Sequence, residues 1–350
     1  MRYFLLANLA HPTWWEGLGM RKFSSHSKQQ LWEAFEQSEA QKTCLVASSR
    51  PQYRQLLRLL KHGEVLMPLS SLFVREAYWQ NLNPLERHLH LLRGLSTLHP
   101  SWVFYGVSAA AVHGLWVSYG LLDRIHTASR NVSHGHDSEC HARHHLSSRE
   151  QITKIDGVRV TTLDWTVFDC MRMLSFSEGL PIADSWLRRS GQTREALLNL
   201  VRSLGAFKGA KQARITASLA DGRSENGGES IARAAIIELG YRIPELQVRK
   251  VDPLEPNHCF YLDFYWVRND GSEVAGELDG KQKYESEKYL EGRTPEGKRQ
   301  EERQRESRLN LSGLTVVRFS FRDVIQQARL DKILDAYRVP WADRPIRTAP

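Results

Sequence analysis

Asp263, Glu277 and Asp279 are the acids whose types and spacing could do chemistry. They lie on two strand-like stretches, Cys259–Val267 and Ser272–Asp279, separated by Asn269-Asp270-Gly271, a hairpin signal. Side chains alternate along a strand, so Tyr261, Asp263 and Tyr265 share one face, opposite Leu262, Phe264 and Trp266. Glu273, Ala275, Glu277 and Asp279 share a face of the second stretch. A two-residue loop would put Asp263 and Glu277 on opposite faces. A three-residue loop, with Gly271 left-handed, would set them directly across from each other. Facing carboxylates repel unless something neutralises them. Mg²⁺ would do so, because it binds one or two carboxylates and keeps several waters, and it suits phosphodiester hydrolysis. Lys281, just past this edge, could orient a water or stabilise a developing phosphate charge. Glu229, on a preceding helix, could add a third acid or accept a proton. The competing reading is a solvated acidic face.

The elements that must position these acids are legible from periodicity. Glu229–Leu239 reads as a helix with Ile231, Ala234, Ala235 and Leu239 inward and Gly240 at its end. Strand signals follow at Leu246–Val251, Cys259–Val267 and Ser272–Asp279. A long polar helix opens at Thr294-Pro295-Glu296 and ends before Gly313. Leu314–Phe319 is a strand, and Ser320–Asp323 is a capping box before a last helix. The order αβββαβ predicts a compact α/β domain over residues 221–340.

The other end of the chain is basic. Ser27–Gln41 reads as a helix with Leu31, Ala34 and Phe35 on one face. Ser48-Ser49-Arg50-Pro51 is a capped start for a second helix, Gln52–His62, with Tyr53, Leu56, Leu57 and Leu60 as its apolar stripe. Arg50, Arg54, Arg58 and Lys61 lie off that stripe. Glu64–Pro68 and Leu72–Arg75 then suggest a small hairpin. Helix, helix, hairpin is the order of a winged helix-turn-helix, so residues 1–80 are expected to bind DNA through those four cations. The competing reading is an ordinary charged helix face.

Residues 81–220 read as a mainly helical middle domain, with helices at Ser108–Trp116, Leu163–Leu174, Glu178–Arg189 and Thr193–Leu204, a strand at Gly157–Thr162, and a further candidate strand at Cys140–Leu146 that would project alternate side chains. His113 reads as a packed or capping histidine. Ala220–Gly228, polar and glycine-rich, reads as the linker to the last domain. His134, His136, Cys140, His141, His144 and His145 cluster, but their spacing fits no standard zinc site.

The 350 residues are 41 % hydrophobic and 25 % charged, ordinary globular values with apolar mass for more than one core. No stretch approaches the roughly 20 apolar residues of a membrane span. The four cysteines lie far apart and suit a reducing compartment, so the expected location is the cytoplasm. The net charge of +8 is unevenly spread: residues 1–220 carry 26 Lys/Arg against 17 Asp/Glu, residues 221–350 carry 22 against 23. A basic part joined to a neutral one suggests a polyanion-binding segment attached to something else.

Glu277-Leu278-Asp279-Gly280-Lys281-Gln282-Lys283-Tyr284, with Asp263, Glu229 and the Gly313–Phe319 segment, resembles a PD-(D/E)xK nuclease-like domain. The match is to a widespread bacterial family related to very-short-patch-repair endonucleases, over roughly residues 225–335. The resemblance implies a restriction-endonuclease-like fold and metal-binding acids at Asp263 and Glu277, with Asp279 as a further candidate. It puts the helix-borne acid at Glu229. The chain departs at Lys283, where that family usually has His. The superfamily's Lys sits two residues after the second acid; counted from Glu277 that place holds Asp279, and from Asp279 it holds Lys281. Residues 1–220 resemble, more weakly, AbiEi-family antitoxin regulators of type IV toxin–antitoxin systems, through Gln52–Arg75, Ser108–Leu115 and Gly157–Asp169. That resemblance implies a DNA-binding winged helix and a toxin partner. Two functions are therefore expected: a DNA-binding protein with a Mg²⁺-dependent nuclease-like domain, or a non-enzymatic antitoxin-like repressor. The histidine cluster would make a third, a metal-binding regulator.

Overall fold

The computed structural model describes residues 25–131, 137–279, 295–346 and 348. Lys281, Lys283, His134 and His136 lie outside the described residues. The fold is mixed α/β, with three sheets among the described residues. None of the described helices is long and apolar enough to cross a membrane. Two units divide the chain: one gathers residues up to Gly114 with Tyr119–Thr166, the other Leu115–Ser118 with the described residues from Val167 onward.

The first unit opens with α1 (Ser25–Ala40), β1 (Leu45–Val46), α2 (Arg50–Lys61) and the hairpin β2 (Val65–Leu69) and β3 (Leu72–Arg75). β1, β3 and β2 form an antiparallel sheet in that order. The Ser49 hydroxyl caps α2 by accepting the Gln52 N–H, and Pro51 sits in the first turn, where its missing N–H costs nothing. Leu31 and Phe35 of α1 pack on Leu56, Leu59 and Phe73. The buried face of α2 is rotated from the expected stripe: Leu59 is buried, whereas Leu57 is 39 % exposed. Both leucines fit an apolar helical pattern, and only the sheet's position decides between them.

A second sheet occupies the region expected to be mainly helical. After α3 (Glu76–Gln80) and α4 (Pro84–Leu98) come β4 (Val103–Phe104), α5 (Gly106–Val112), β5 (Ile125–Ser129), β6 (His141–His145), β7 (Ile152–Ile155) and β8 (Val158–Thr161). The strands lie in the order β6-β5-β4-β8-β7. β8 stands within the strand expected at Gly157–Thr162 and β6 within the candidate strand at Cys140–Leu146; the other three, two to five residues long, were not expected. Phe104, Ile125, Val158 and Val160 pack there against Leu91, Leu92 and Leu95 of α4.

α6 (Leu163–Met173) carries the chain onward. The second unit continues with α7 (Phe176–Ser190), α8 (Arg194–Leu204), α9 (Ala210–Leu219) and α10 (Gly227–Glu238). α7 and α8 stand where the sequence places them; α9 carries no clear signal there. The expected linker is a tie. Ser224 is buried, the Asp221 N–H donates to Asp184 Oδ1 at 2.7 Å, and α10 packs on α7. Composition sees only polar and small residues; the buried carboxylate that holds them comes from a helix 37 residues earlier.

The expected αβββαβ order follows: α10, then β9 (Glu245–Val251), β10 (Cys259–Val267), β11 (Glu273–Asp279), α11 (Pro295–Leu311) and β12 (Thr315–Ser320). α12 (Phe321–Ile325) and α13 (Gln327–Ala336) end the unit, with the Ser320/Asp323 capping box in place. The sheet order is β12-β11-β10-β9, antiparallel except for β11–β12. Phe264, Trp266, Val274, Val317 and Phe319 bury one face against Ala232 and Ile236 of α10 and Leu330 and Leu334 of α13. Gly276 permits this, because a Cβ there would meet the Trp266 ring at 2.9 Å. Tyr265, Ala275 and Val316 belong to another cluster, with Leu309 of α11.

Candidate functional site

The β10–β11 turn fixes the register of the acids. Gly271 adopts φ +83°, the left-handed region open to glycine, and its N–H donates to the Arg268 carbonyl at 3.0 Å. Phe264 pairs with Gly276 and Tyr265 with Ala275. This is the three-residue-loop register; its paired residues end at Phe264 and Gly276, and carried one step further it would set position 263 opposite position 277. The two strands interact there: Asp263 Oδ2 accepts the Leu278 N–H at 3.1 Å.

Glu273, Glu277 and Asp279, successive acids on that face of β11, are each met by a cation from a different element. Lys250 of β9 donates to Glu273 Oε1 at 2.7 Å. Arg305 of α11 donates through Nη2 to Glu277 Oε1 at 2.9 Å and to the Tyr261 carbonyl. Arg318 of β12 donates to Asp279 Oδ1 at 3.0 Å and to Glu302 Oε2 at 3.3 Å, with Glu306 Oε2 3.2 Å from its Nε. Burial opposes the charge on Arg318, but Asp279, Glu302 and Glu306 outweigh it and raise its pKa. Glu277 is buried, so its carboxylate depends on such compensation. Asp263 differs: it is half-buried and forms no ion pair with a described residue.

Glu229 lies in the first turn of α10. Its carboxylate accepts the Glu225 N–H at 2.7 Å and the Asn226 Nδ2–H at 2.6 Å, while Asn226 Oδ1 accepts the Glu229 N–H at 3.1 Å. It is therefore a helix-capping acid, whatever else it does. The same turn sits beside β11, since a Cβ on Gly228 would lie 3.5 Å from Leu278 Cδ2. The structure thus brings Asp263, Glu277 and the α10 turn together around β11. Asp279 sits at the strand's end, held by Arg318. Arg305 is the residue that sequence reasoning missed. Its signal was available: Arg305 and Arg308 are three apart on a helix and share a face, and Arg308 likewise donates to Asp252 Oδ2 at 2.6 Å.

Among the described residues no group of three or more His, Cys, Asp or Glu is arranged to hold a metal. The acid pair fits Mg²⁺ by donor chemistry, being two hard oxygen donors on neighbouring strands. Asp263 has one oxygen hydrogen-bonded to Leu278 N–H, and its other oxygen has no partner among the described residues.

On α2, Arg50, Arg54 and Lys61 are exposed and share a solvent face with Leu57; Arg58 is half-buried. The described histidines of the cluster are engaged in the five-stranded sheet. His144 Nε2 lies 3.0 Å from His126 Nδ1, with the rings near-parallel. His141 Nε2 is 2.7 Å from Thr127 Oγ1, and its ring stacks on Trp102. His113 is packed as expected, with Nε2 2.8 Å from the Thr161 carbonyl.

Comparison with known proteins gives limited company. The chain is similar to two proteins of Mycobacterium tuberculosis, Uncharacterized protein Rv2248 (strain ATCC 25618 / H37Rv) and Uncharacterized protein MT2308 (strain CDC 1551 / Oshkosh). Each is 30 % identical over 118 residues, which is 33 % of this chain and 42 % of the relative. The chain thus spans less than half the length of these relatives. No family model matches the chain, and no solved structure matches it.

Proposed function

We propose that this is a cytoplasmic DNA-binding protein whose C-terminal sheet is a restriction-endonuclease-like domain with a Mg²⁺-dependent phosphodiesterase site. The observation that carries the reading is the β10–β11 register, which brings Asp263 beside the Glu277–Leu278 stretch and leaves Asp263 without a cation among the described residues. The αβββαβ order and the parallel β11–β12 pair support the same domain. Asp263 and Glu277 would hold the ion, and bound Mg²⁺ would supply Lewis-acid stabilisation and a water of lowered pKa. Glu229 fixes the α10 turn beside β11. Arg305 is paired with Glu277 at 2.9 Å, and its guanidinium offers further N–H donors to a phosphate. Lys281 is assigned the water-orienting role from sequence alone. The α1–β1–α2–hairpin segment supports a winged-helix reading, with Arg50, Arg54, Arg58 and Lys61 on phosphates or bases. Purified protein is expected to nick or linearise plasmid DNA with Mg²⁺ or Mn²⁺ but not with EDTA. Asp263→Ala should reduce the rate about 100-fold or more. A wild-type protein with no metal-dependent cleavage sinks the enzymatic reading.

A second reading has its own support. Glu273, Glu277 and Asp279 are all engaged in ion pairs, as in a carboxylate face used for structure. An antitoxin-like repressor with a toxin partner would use the sheet only for binding. It predicts promoter binding lost in Arg54→Ala plus Arg58→Ala and unchanged in Asp263→Ala.

A further inference from the structure

The second unit carries a basic surface that the four α2 cations do not include. Residues 167–220 hold eight Lys/Arg against four Asp/Glu. Two of those acids, Asp169 and Asp184, are buried and paired with Arg172 and Arg233. Their negative charge is therefore spent inside the fold. Arg188, Arg189, Arg194, Arg202, Lys208, Lys211 and Arg214 are all exposed.

Three guanidiniums of this unit converge on one open cleft. Arg188 at the end of α7, Arg194 at the start of α8, and Arg223 line a space of about 550 Å³ with Gln192, Asp221 and Gly222. Arg188 Nη1 donates to the Ser224 carbonyl at 3.2 Å and Arg194 Nη1 to the Ser218 carbonyl at 3.4 Å. Neither forms an ion pair with a described acid. Arg223 is held by Asp221, at 2.8 Å from its Nη2. The cleft thus carries three positive charges against one negative.

Its wall is built rather than incidental. Asp184 accepts from two partners: Arg233 Nη2 lies 2.8 and 2.6 Å from the two carboxylate oxygens, and the Asp221 N–H donates to Oδ1 at 2.7 Å. Arg233 also donates to the Leu219 carbonyl at 2.6 Å. One buried pair therefore ties α7, α10 and the cleft's own loop together. The loop passes so close to α7 that a Cβ on Gly222 would lie 3.0 Å from Leu187 Cβ and 3.1 Å from the Arg188 nitrogen.

The cleft is also near the carboxylates. Arg223 precedes Gly228 by five residues, and Gly228 abuts Leu278, between Glu277 and Asp279. Five residues span at most about 18 Å, roughly half of one DNA helical turn of about 34 Å. We infer that Arg188, Arg194 and Arg223 form a second phosphate-contact site, which seats a nucleic-acid backbone within one helical turn of Asp263 and Glu277. This inference rests on the DNA-binding reading. It explains how a domain whose own sequence is neutral, and whose candidate site is acidic, is approached by a polyanion: the cations come from helices that precede it in the chain.

The test uses the full chain and a fluorescein-labelled 30-base-pair duplex, with anisotropy titrations across a KCl series. Each phosphate contact contributes about 0.9 to the log–log salt slope, so Arg188→Ala plus Arg194→Ala should lower the slope by about 2 and weaken binding several-fold or more. Arg188→Lys plus Arg194→Lys, which keeps the charge, should retain most of the slope. Thermal melts of both variants confirm the fold. A folded Ala/Ala variant with wild-type affinity and slope overturns the cleft assignment while leaving DNA binding by α2 intact. Wild-type protein that binds no duplex at low salt overturns the DNA-binding reading and this inference with it. Ala/Ala loss of affinity for polyglutamate, with duplex binding unchanged, would assign the cleft to an acidic protein and also overturn the proposal.

Discussion

The five-stranded sheet and the four-stranded sheet both gather residues that look chemical in the sequence, and they treat them in opposite ways. In the first, burial of the histidines outweighs what neighbouring carboxylates and backbone partners offer them. Burial pushes His88 and His126 down to about 4, against backbone partners or neighbouring rings that pull only weakly the other way or add to the effect. These imidazoles are held neutral, His88 between the Leu122 carbonyl and the Ser108 hydroxyl. In the second sheet the acids receive cations instead: Glu273, Glu277 and Asp279 each sit in an ion pair. Burial alone removes a charge; burial with a partner preserves it. A cluster in the sequence does not say which treatment it will receive.

The largest expected effect concerns what holds the second unit together. Arg233→Ala leaves Asp184 buried without its partner and should cost about 3–5 kcal/mol. Denaturant unfolding measures it, and a loss under 1 kcal/mol would mean that the pair does not tie α7 to α10.

Acidification should weaken the first sheet by a smaller amount. The folded pKa of His88 and His126, about 4, lies below the ordinary 6.5, so the unfolded chain takes up protons first. Their stabilisation is complete above pH 6.5 and is lost as pH falls toward 4, amounting to roughly 2 kcal/mol per histidine by pH 5. Unfolding of wild type and His88→Gln at pH 7.5 and pH 5 should show a flatter pH dependence in the variant. Equal slopes would show that His88 titrates normally.

Arg305→Ala tests whether the second sheet's cations are replaceable. Removing the guanidinium from Glu277 frees a carboxylate for a divalent ion, so Mn²⁺ should bind at a several-fold lower concentration in a calorimetric titration. Weaker binding would show that Arg305 organises the acids rather than competing for them. The smallest effect is expected at the surface. Leu57→Ala should change stability by no more than about 0.5 kcal/mol, because Leu57 is outside the core. A loss of 2 kcal/mol or more would restore the expected stripe.

Much of the four-stranded unit was legible. Cys259–Val267 alternates cleanly, Asn269-Asp270-Gly271 names its turn, and the Ser320 capping box marks its last helices. Long strands and local turn chemistry carry their own signal. In the five-stranded sheet only β6 and β8 were legible, and a two-residue strand such as Val103–Phe104 exists only through its neighbours. The α2 core was half legible: Leu56 is buried as the pattern requires, while the choice of Leu59 over Leu57 was not readable.

The sequence by itself determined the order of elements after Asn226, the three-residue turn at Gly271 as one of two options, and the placing of the whole positive excess in residues 1–220. These depend on local periodicity, glycine's access to positive φ and simple charge count. The tertiary structure decided which turn option holds, that Arg305 reaches Glu277 across 28 residues, and that Asp184 holds Arg233 across 49. It also decided that the basic helices of residues 167–220 belong with the acidic sheet. Each of these is a long-range pairing of charges, and its energy depends on burial that no local stretch of sequence contains.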